Sequence, residues 1–154
     1  MNWNDCLNRL NEVNEKYGHS APPPAKKVYD FLSFARSRYG LFIPVEFAEF
    51  WKLQNGLEFD GNVFYHVDES SNEDIDPSDV STNNSIIATN AIWRENEGNP
   101  RYTFLGDGNI DWYVYDTESG RYLVLDKSSA EIMETFDNFE EFFTTVLTQM
   151  VEQI

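Results

Sequence analysis

Two six-residue runs, Asp111-Trp112-Tyr113-Val114-Tyr115-Asp116 and Arg121-Tyr122-Leu123-Val124-Leu125-Asp126, are separated only by Thr117-Glu118-Ser119-Gly120. Both are rich in aromatic and β-branched residues, which suit a pleated surface. Four residues are enough for a hairpin and far too few for a crossover, so the two runs must pair antiparallel. That requirement commits the chain to an antiparallel sheet. Leu57-Glu58-Phe59 and residues 63–67, separated by Asp60-Gly61-Asn62, repeat the signal, because Asp-Gly suits a tight turn between strands. Residues 101–105 are expected to add a neighbouring strand.

Helical patterns flank the strands. Trp3, Cys6, Leu7, Leu10, Val13 and Tyr17 recur at helical spacing and stop at Gly18. A stiff connector, Ala21-Pro22-Pro23-Pro24, follows. Val28, Phe31, Leu32, Ala35 and Tyr39 mark a second helix ended by Gly40. A third is expected to start at Pro44, whose missing N–H costs nothing in a first turn. Phe47, Phe50 and Trp51 form its buried stripe, with Leu53 as a further candidate, and Asn55-Gly56 closes it. Residues 86–93 fit a short helix or a strand, and a helix beginning near Ser85 is the preferred reading. Asp137, with Glu140 three residues on, reads as the capped start of a last helix. Its stripe is Phe139, Phe142, Phe143, Val146, Leu147, Met150, Val151 and Ile154.

Hairpins in series need no crossover helices, so the pattern predicts an α+β domain. N-terminal helices, a central, mainly antiparallel sheet and a C-terminal helix packed on it are expected, with the helices on one face. The 154 residues suit a single domain over 1–154. No apolar run approaches the ~20 residues needed to span a bilayer. The N-terminus has no signal-peptide pattern, and the single Cys6 fits a reducing compartment. A cytoplasmic location is expected.

The search for chemistry returns little. His19 and His66 are the only histidines, and neither has the neighbours of a metal site or a catalytic triad. Cys6 lies on an apolar stripe and reads as a small core residue. There is no phosphate-binding glycine motif. The stretch from Asp107 to Glu118 superficially resembles a calcium loop, but its sixth place is Trp112 where a glycine is required. Carboxylate pairs such as Asp116/Glu118 and Asp74/Asp76 arise in a chain this acidic without any acid–base role. No catalytic residue, metal site or cofactor is assigned, and the expectation is that the chain is not an enzyme.

Charge is the positive signal. Residues 1–52 carry a net +1, residues 53–154 a net −17, and the whole chain −16. No Lys or Arg occurs between Lys52 and Arg94. Such a field repels nucleic acid and anionic membrane and attracts basic proteins. The expected partner-binding residues are Asp68, Glu69, Glu73, Asp74, Asp76 and Asp79 of an exposed acidic loop, together with Asp111, Tyr113, Tyr115 and Asp116. The last group adds aromatic anchors to the charge. Glu131, Glu134, Glu140 and Glu141, in a stretch without basic residues after Lys127, form a second acidic surface.

The stretch from Leu41 to Phe59 resembles the opening of the SUKH superfamily, which includes bacterial immunity proteins and relatives of yeast cell-wall-synthesis regulators. Pro44, Phe47, Phe50, Trp51, Asn55 and Gly56 occupy matching places. Trp93, Leu105-Gly106-Asp107, the run from Asp111 to Asp116 and Gly120 are similar to the family's middle section, and Phe139, Phe142 and Phe143 to its end. The similarity runs over residues 28–154; the helix and proline-rich connector of residues 1–25 are less typical of the family. The resemblance implies an α+β fold without catalysis, and neutralisation of a toxin domain, often a nuclease. Charge and resemblance together point to a cognate toxin with a basic surface, and to neither nucleic acid nor membrane as partner. A regulatory or scaffold protein of the same fold, acting in cell-envelope growth or signalling, is the alternative. A carboxylate-dependent metal enzyme is a third reading.

Overall fold

In the computed structural model, which describes residues 1–67, 84–97 and 100–154, the expected hairpin pairs along its full length, from Asp111 opposite Asp126 to Asp116 opposite Arg121. The elements are α1 (Trp3–Lys16), α2 (Val28–Tyr39), α3 (Phe47–Trp51), β1 (Leu57–Phe59), β2 (Asn62–Phe64), α4 (Ile86–Glu97), β3 (Tyr102–Asp107), β4 (Asp111–Asp116), β5 (Arg121–Asp126), β6 (Ile132–Phe136) and α5 (Phe139–Val151). The strands form one six-stranded sheet in sequence order, every pair antiparallel. The fold is α+β. Asp60 and Gly61 both have positive φ (49° and 83°), the backbone a two-residue hairpin turn with the right twist requires. Gly40 closes α2 in the left-handed region, as an αL cap does.

Successive side chains of a strand point to opposite faces, and on β4 both faces are aromatic. Tyr113 stacks on Phe64 of β2 and meets Phe142 of α5. Trp112 meets Phe104 of β3 and Trp93 of α4. α5 and α4 therefore cover opposite faces of the sheet, which corrects the expectation that the helices share one. On the α5 side, Phe47, Phe50 and Trp51 of α3 and Phe142 and Phe143 of α5 are fully buried. α1 lies beside α5, with Trp3 against Phe139 and Phe143 and Cys6 against Thr148.

Several boundaries differ from the sequence reading. α3 begins at Phe47; Pro44 instead supplies the carbonyl that accepts from Phe47 N at 3.0 Å, opening a tight turn before the helix. The α5 N-cap is Asn138, whose Oδ1 accepts from Glu141 N at 2.9 Å, so the capping pattern sits one residue later than Asp137/Glu140. Tyr17, Leu53 and Ile154 are exposed and belong to no stripe. β6 is a further strand, with no counterpart among the expected elements.

Candidate functional site

The ends of four segments enclose a cleft of about 560 Å³. Trp3 and Asn4 begin α1, Glu46 and Glu49 flank the start of α3, Tyr115, Gly120 and Tyr122 form the tip of the β4–β5 hairpin, and the stretch from Asp137 to Glu140 leads into α5. Four carboxylates line it and no Lys or Arg does. The aromatic wall is continuous: the Tyr115 and Tyr122 rings lie 5.1 Å apart, Tyr122 and Phe139 5.8 Å, Phe139 and Trp3 6.1 Å.

The carboxylates have distinct surroundings. Asp137 pairs with Arg121 at 2.9 Å and Glu49 with Lys52 at 3.4 Å, both cations standing outside the lining. Glu140 accepts from Trp3 Nε1 at 3.0 Å, and Glu46 from the Tyr122 hydroxyl at 3.4 Å. Neither Glu46 nor Glu140 has a Lys or Arg within ion-pair distance among the described residues. Burial first, and the Glu46 carboxylate second, push the Tyr115 and Tyr122 phenols up. Three helix N-termini meet here, and acidic residues are favoured at such ends, each worth roughly half a positive charge in a long helix. That gives the carboxylates a structural reason to be present and offsets part of their charge. Each still has lone pairs to spare. The cleft therefore suits a hydrogen-bond donor, cationic side chains above all, against aromatic faces.

A second polar centre ties the α4 side together. Trp93 Nε1 donates to the Tyr65 hydroxyl at 2.8 Å, Tyr65 donates to Asp107, and Lys127 Nζ donates to Asp107 Oδ1 at 2.9 Å while lying 5.7 Å from the Trp93 ring centre. Burial, then the Asp107 charge, push the Tyr65 phenol well up. It stays protonated and works as a relay of hydrogen bonds rather than as an acid. Trp93 and Asp107, singled out by the family resemblance, thus meet in one network.

The sequence-derived partner residues fall in three places. Asp68, Glu69, Glu73, Asp74, Asp76 and Asp79 lie outside the described residues. Tyr115 lines the cleft and is half-buried; Asp111 is half-buried at the far end of β4. Tyr113 (5% exposed) and Asp116 (4% exposed) are interior, which corrects their placement at an accessible surface. Tyr113 carries the stacking under α5 and donates to Asn62 Oδ1 at 3.0 Å. Asp116 accepts from Arg101 Nε at 2.8 Å and from Ser119 Oγ at 2.7 Å, closing the hairpin tip. Missed by the sequence reading were Trp3, Glu46, Glu49, Tyr122 and Asp137, brought together only by the tertiary fold. Among the described residues no group of three or more His, Cys, Asp or Glu is arranged to hold a metal ion, and no helix is long and apolar enough to cross a membrane.

Compared with known proteins, the chain matches the model of the SMI1 / KNR4 family (SUKH-1) over residues 30–145. No curated protein and no solved structure matches it.

Proposed function

The chain belongs to the SMI1 / KNR4 family (SUKH-1), and on that premise we propose that it is a cytoplasmic immunity protein that neutralises a cognate, basic, nuclease-type toxin by tight non-covalent binding. It acts by occupancy, not by catalysis. The observation that carries the reading is charge combined with shape: a chain of formal charge −16 that presents a carboxylate-lined, aromatic-walled cleft with no cation in its lining.

The chemistry is complementary at each step. A nuclease needs a basic surface to hold phosphates, and an acidic protein that covers that surface excludes the substrate. Opposite charge steers the encounter and raises the association rate, which matters when a toxin must be trapped before it acts. Tyr115, half-buried in the cleft lining, offers the aromatic contact that long-range charge does not provide. Glu46 and Glu140 are the carboxylates best placed to receive Arg or Lys.

Co-expression tests the reading. Cells producing the toxin domain encoded beside this gene should survive only when this chain is present, and the two should co-purify at 1:1. If the neighbouring product is harmless, or kills equally with and without this chain, immunity is excluded and a regulatory role in the cell envelope becomes the better account.

A further inference from the structure

We propose that the outer edge of β6 is a docking site for an extended strand of the basic partner, paired antiparallel through the backbone, with Lys or Arg facing Glu131 and Glu134. The proposal rests on the reading of the chain as a binder of a basic protein.

The sheet has two edges, and they are treated differently. β1 is three residues long, and Asn14 of α1 donates to the Glu58 carbonyl at 2.9 Å, so that edge is short and covered. β6 is five residues long and ends the strand order, and among the described residues no strand pairs with its outer side. Proteins usually protect such an edge with Lys, Pro, a bulge or charge. From residue 128 to the end there is no Lys, Arg or Pro. Ile132 is 55% exposed and Met133 61% exposed, two adjacent apolar side chains open to solvent.

What does protect the edge is selective. A register shift leaves Met133 bulged between the Leu125–Ile132 and Val124–Glu134 pairs. Glu134 is the midpoint of the strand, so full-length antiparallel pairing with a second copy sets Glu134 against Glu134 and Glu131 against Asp137. Like charges directly opposite are unfavourable. Asp137 is matched by Arg121, but neither Glu131 nor Glu134 has a Lys or Arg at ion-pair distance among the described residues. The edge thus rejects its own copy. Across the bulge Glu134 stands opposite Val124 and Glu131 opposite Asp126, so both carboxylates share one face, and a regular strand meets them with cations two residues apart. Strand addition of this kind takes affinity from main-chain hydrogen bonds and specificity from the side chains opposite. β6 also runs directly into Asp137 and the cleft, so one extended segment can engage both.

The test uses the intact chain and a synthetic heptapeptide, acetyl-Thr-Val-Thr-Lys-Val-Lys-Thr-amide, with hydrogen exchange read residue by residue. Saturating peptide should slow exchange of outward-facing β6 amides about tenfold. Peptides N-methylated at every second residue keep the charge but block one side of the backbone; of the two phases, one should lose the protection. Glu134→Lys, at a half-buried residue without an ion-pair partner, should also lose it while the rest of the exchange pattern stays unchanged. The proposal is overturned if both N-methylated phases protect equally, if a peptide with Glu in place of Lys protects as well, if protection falls at the cleft alone, or if millimolar peptide has no effect. A partner that co-purifies while leaving β6 exchange unaltered would sink strand addition and leave immunity standing.

Discussion

Asn55 acts as a strand neighbour for Val67. Its Oδ1 accepts from Val67 N at 2.8 Å and its Nδ2 donates to Val67 O at 2.9 Å, the two bonds a paired residue would make. The side chain after α3 therefore fixes the backbone where the chain leaves the β1–β2 hairpin. Asn55→Asp keeps the acceptor but sets a carboxylate oxygen against the Val67 carbonyl. A loss of about 1–3 kcal/mol is expected, by urea unfolding at neutral pH. Asn55→Ala should cost a similar amount, because the Val67 groups then have no partner.

Gly106 of β3 stands opposite Phe64 of β2. A Cβ there would lie 2.3 Å from the Val63 carbonyl oxygen and 2.9 Å from Phe64 Cδ1, and Phe64 needs that space to stack on Tyr113 at 5.1 Å. Gly106→Ala is expected to destabilise by about 2–3 kcal/mol through forced displacement of the strand pair. Gly120→Ala has a different cause: the space is open, but φ is +73°, so its cost should be about 1 kcal/mol. Thermal unfolding of the two variants side by side checks the order.

Trp51 is fully buried, and its Nε1 donates to the Tyr65 carbonyl at 2.9 Å. Trp51→Ala should cost about 3–5 kcal/mol. Trp51→Phe keeps most of the packing and leaves that carbonyl unpaired, for a loss of about 1–3 kcal/mol. Equal unfolding midpoints for wild type and Trp51→Ala would contradict the packing of α3.

The parts legible in the sequence are those whose signal is local. The Asp60-Gly61 turn, the four-residue β4–β5 connection and the α5 stripe from Phe139 to Met150 are legible from neighbouring residues. Asp137/Glu140 and Asn138/Glu141 both satisfy the capping spacing, so the sequence alone did not separate them. β6 was missed because Ile132-Met133-Glu134-Thr135-Phe136 has no clean alternation: it is an exposed edge with a bulge, and nothing buries one of its faces fully. Trp112 and Tyr113 showed that both faces of β4 are aromatic, but not that α4 rather than a partner covers the second. The cleft draws on residues 3–4, 46–49, 115–122 and 137–140, and no pattern within one segment announces it.

Arg101 hydrogen bonds hold the Asp116 carboxyl down at about 2, against its ordinary 3.8. An acid whose folded value is depressed stabilises the fold above the unfolded value and loses that contribution as pH falls through the folded one. The Asp116 contribution should therefore be complete above about pH 4 and fade between about pH 4 and 2. With the partly exposed Arg101 screened by water, roughly 1–2 kcal/mol is at stake. Asp116→Asn should flatten the acid limb of the stability curve in that window; an unchanged limb would place the acid sensitivity elsewhere.

If acidic groups around the cleft capture a basic toxin domain, as proposed, the association rate constant depends on ionic strength. Wild type should bind the neighbour-encoded toxin 1:1 with a rate that falls steeply as salt rises. The Glu46→Gln/Glu140→Gln variant should associate more slowly and with a shallower salt slope, its fold intact; neutralising Glu69, Asp74 and Asp76 together should act in the same direction. A rate indifferent to salt and unchanged in both variants, or no association at all, would rule out capture by these carboxylates.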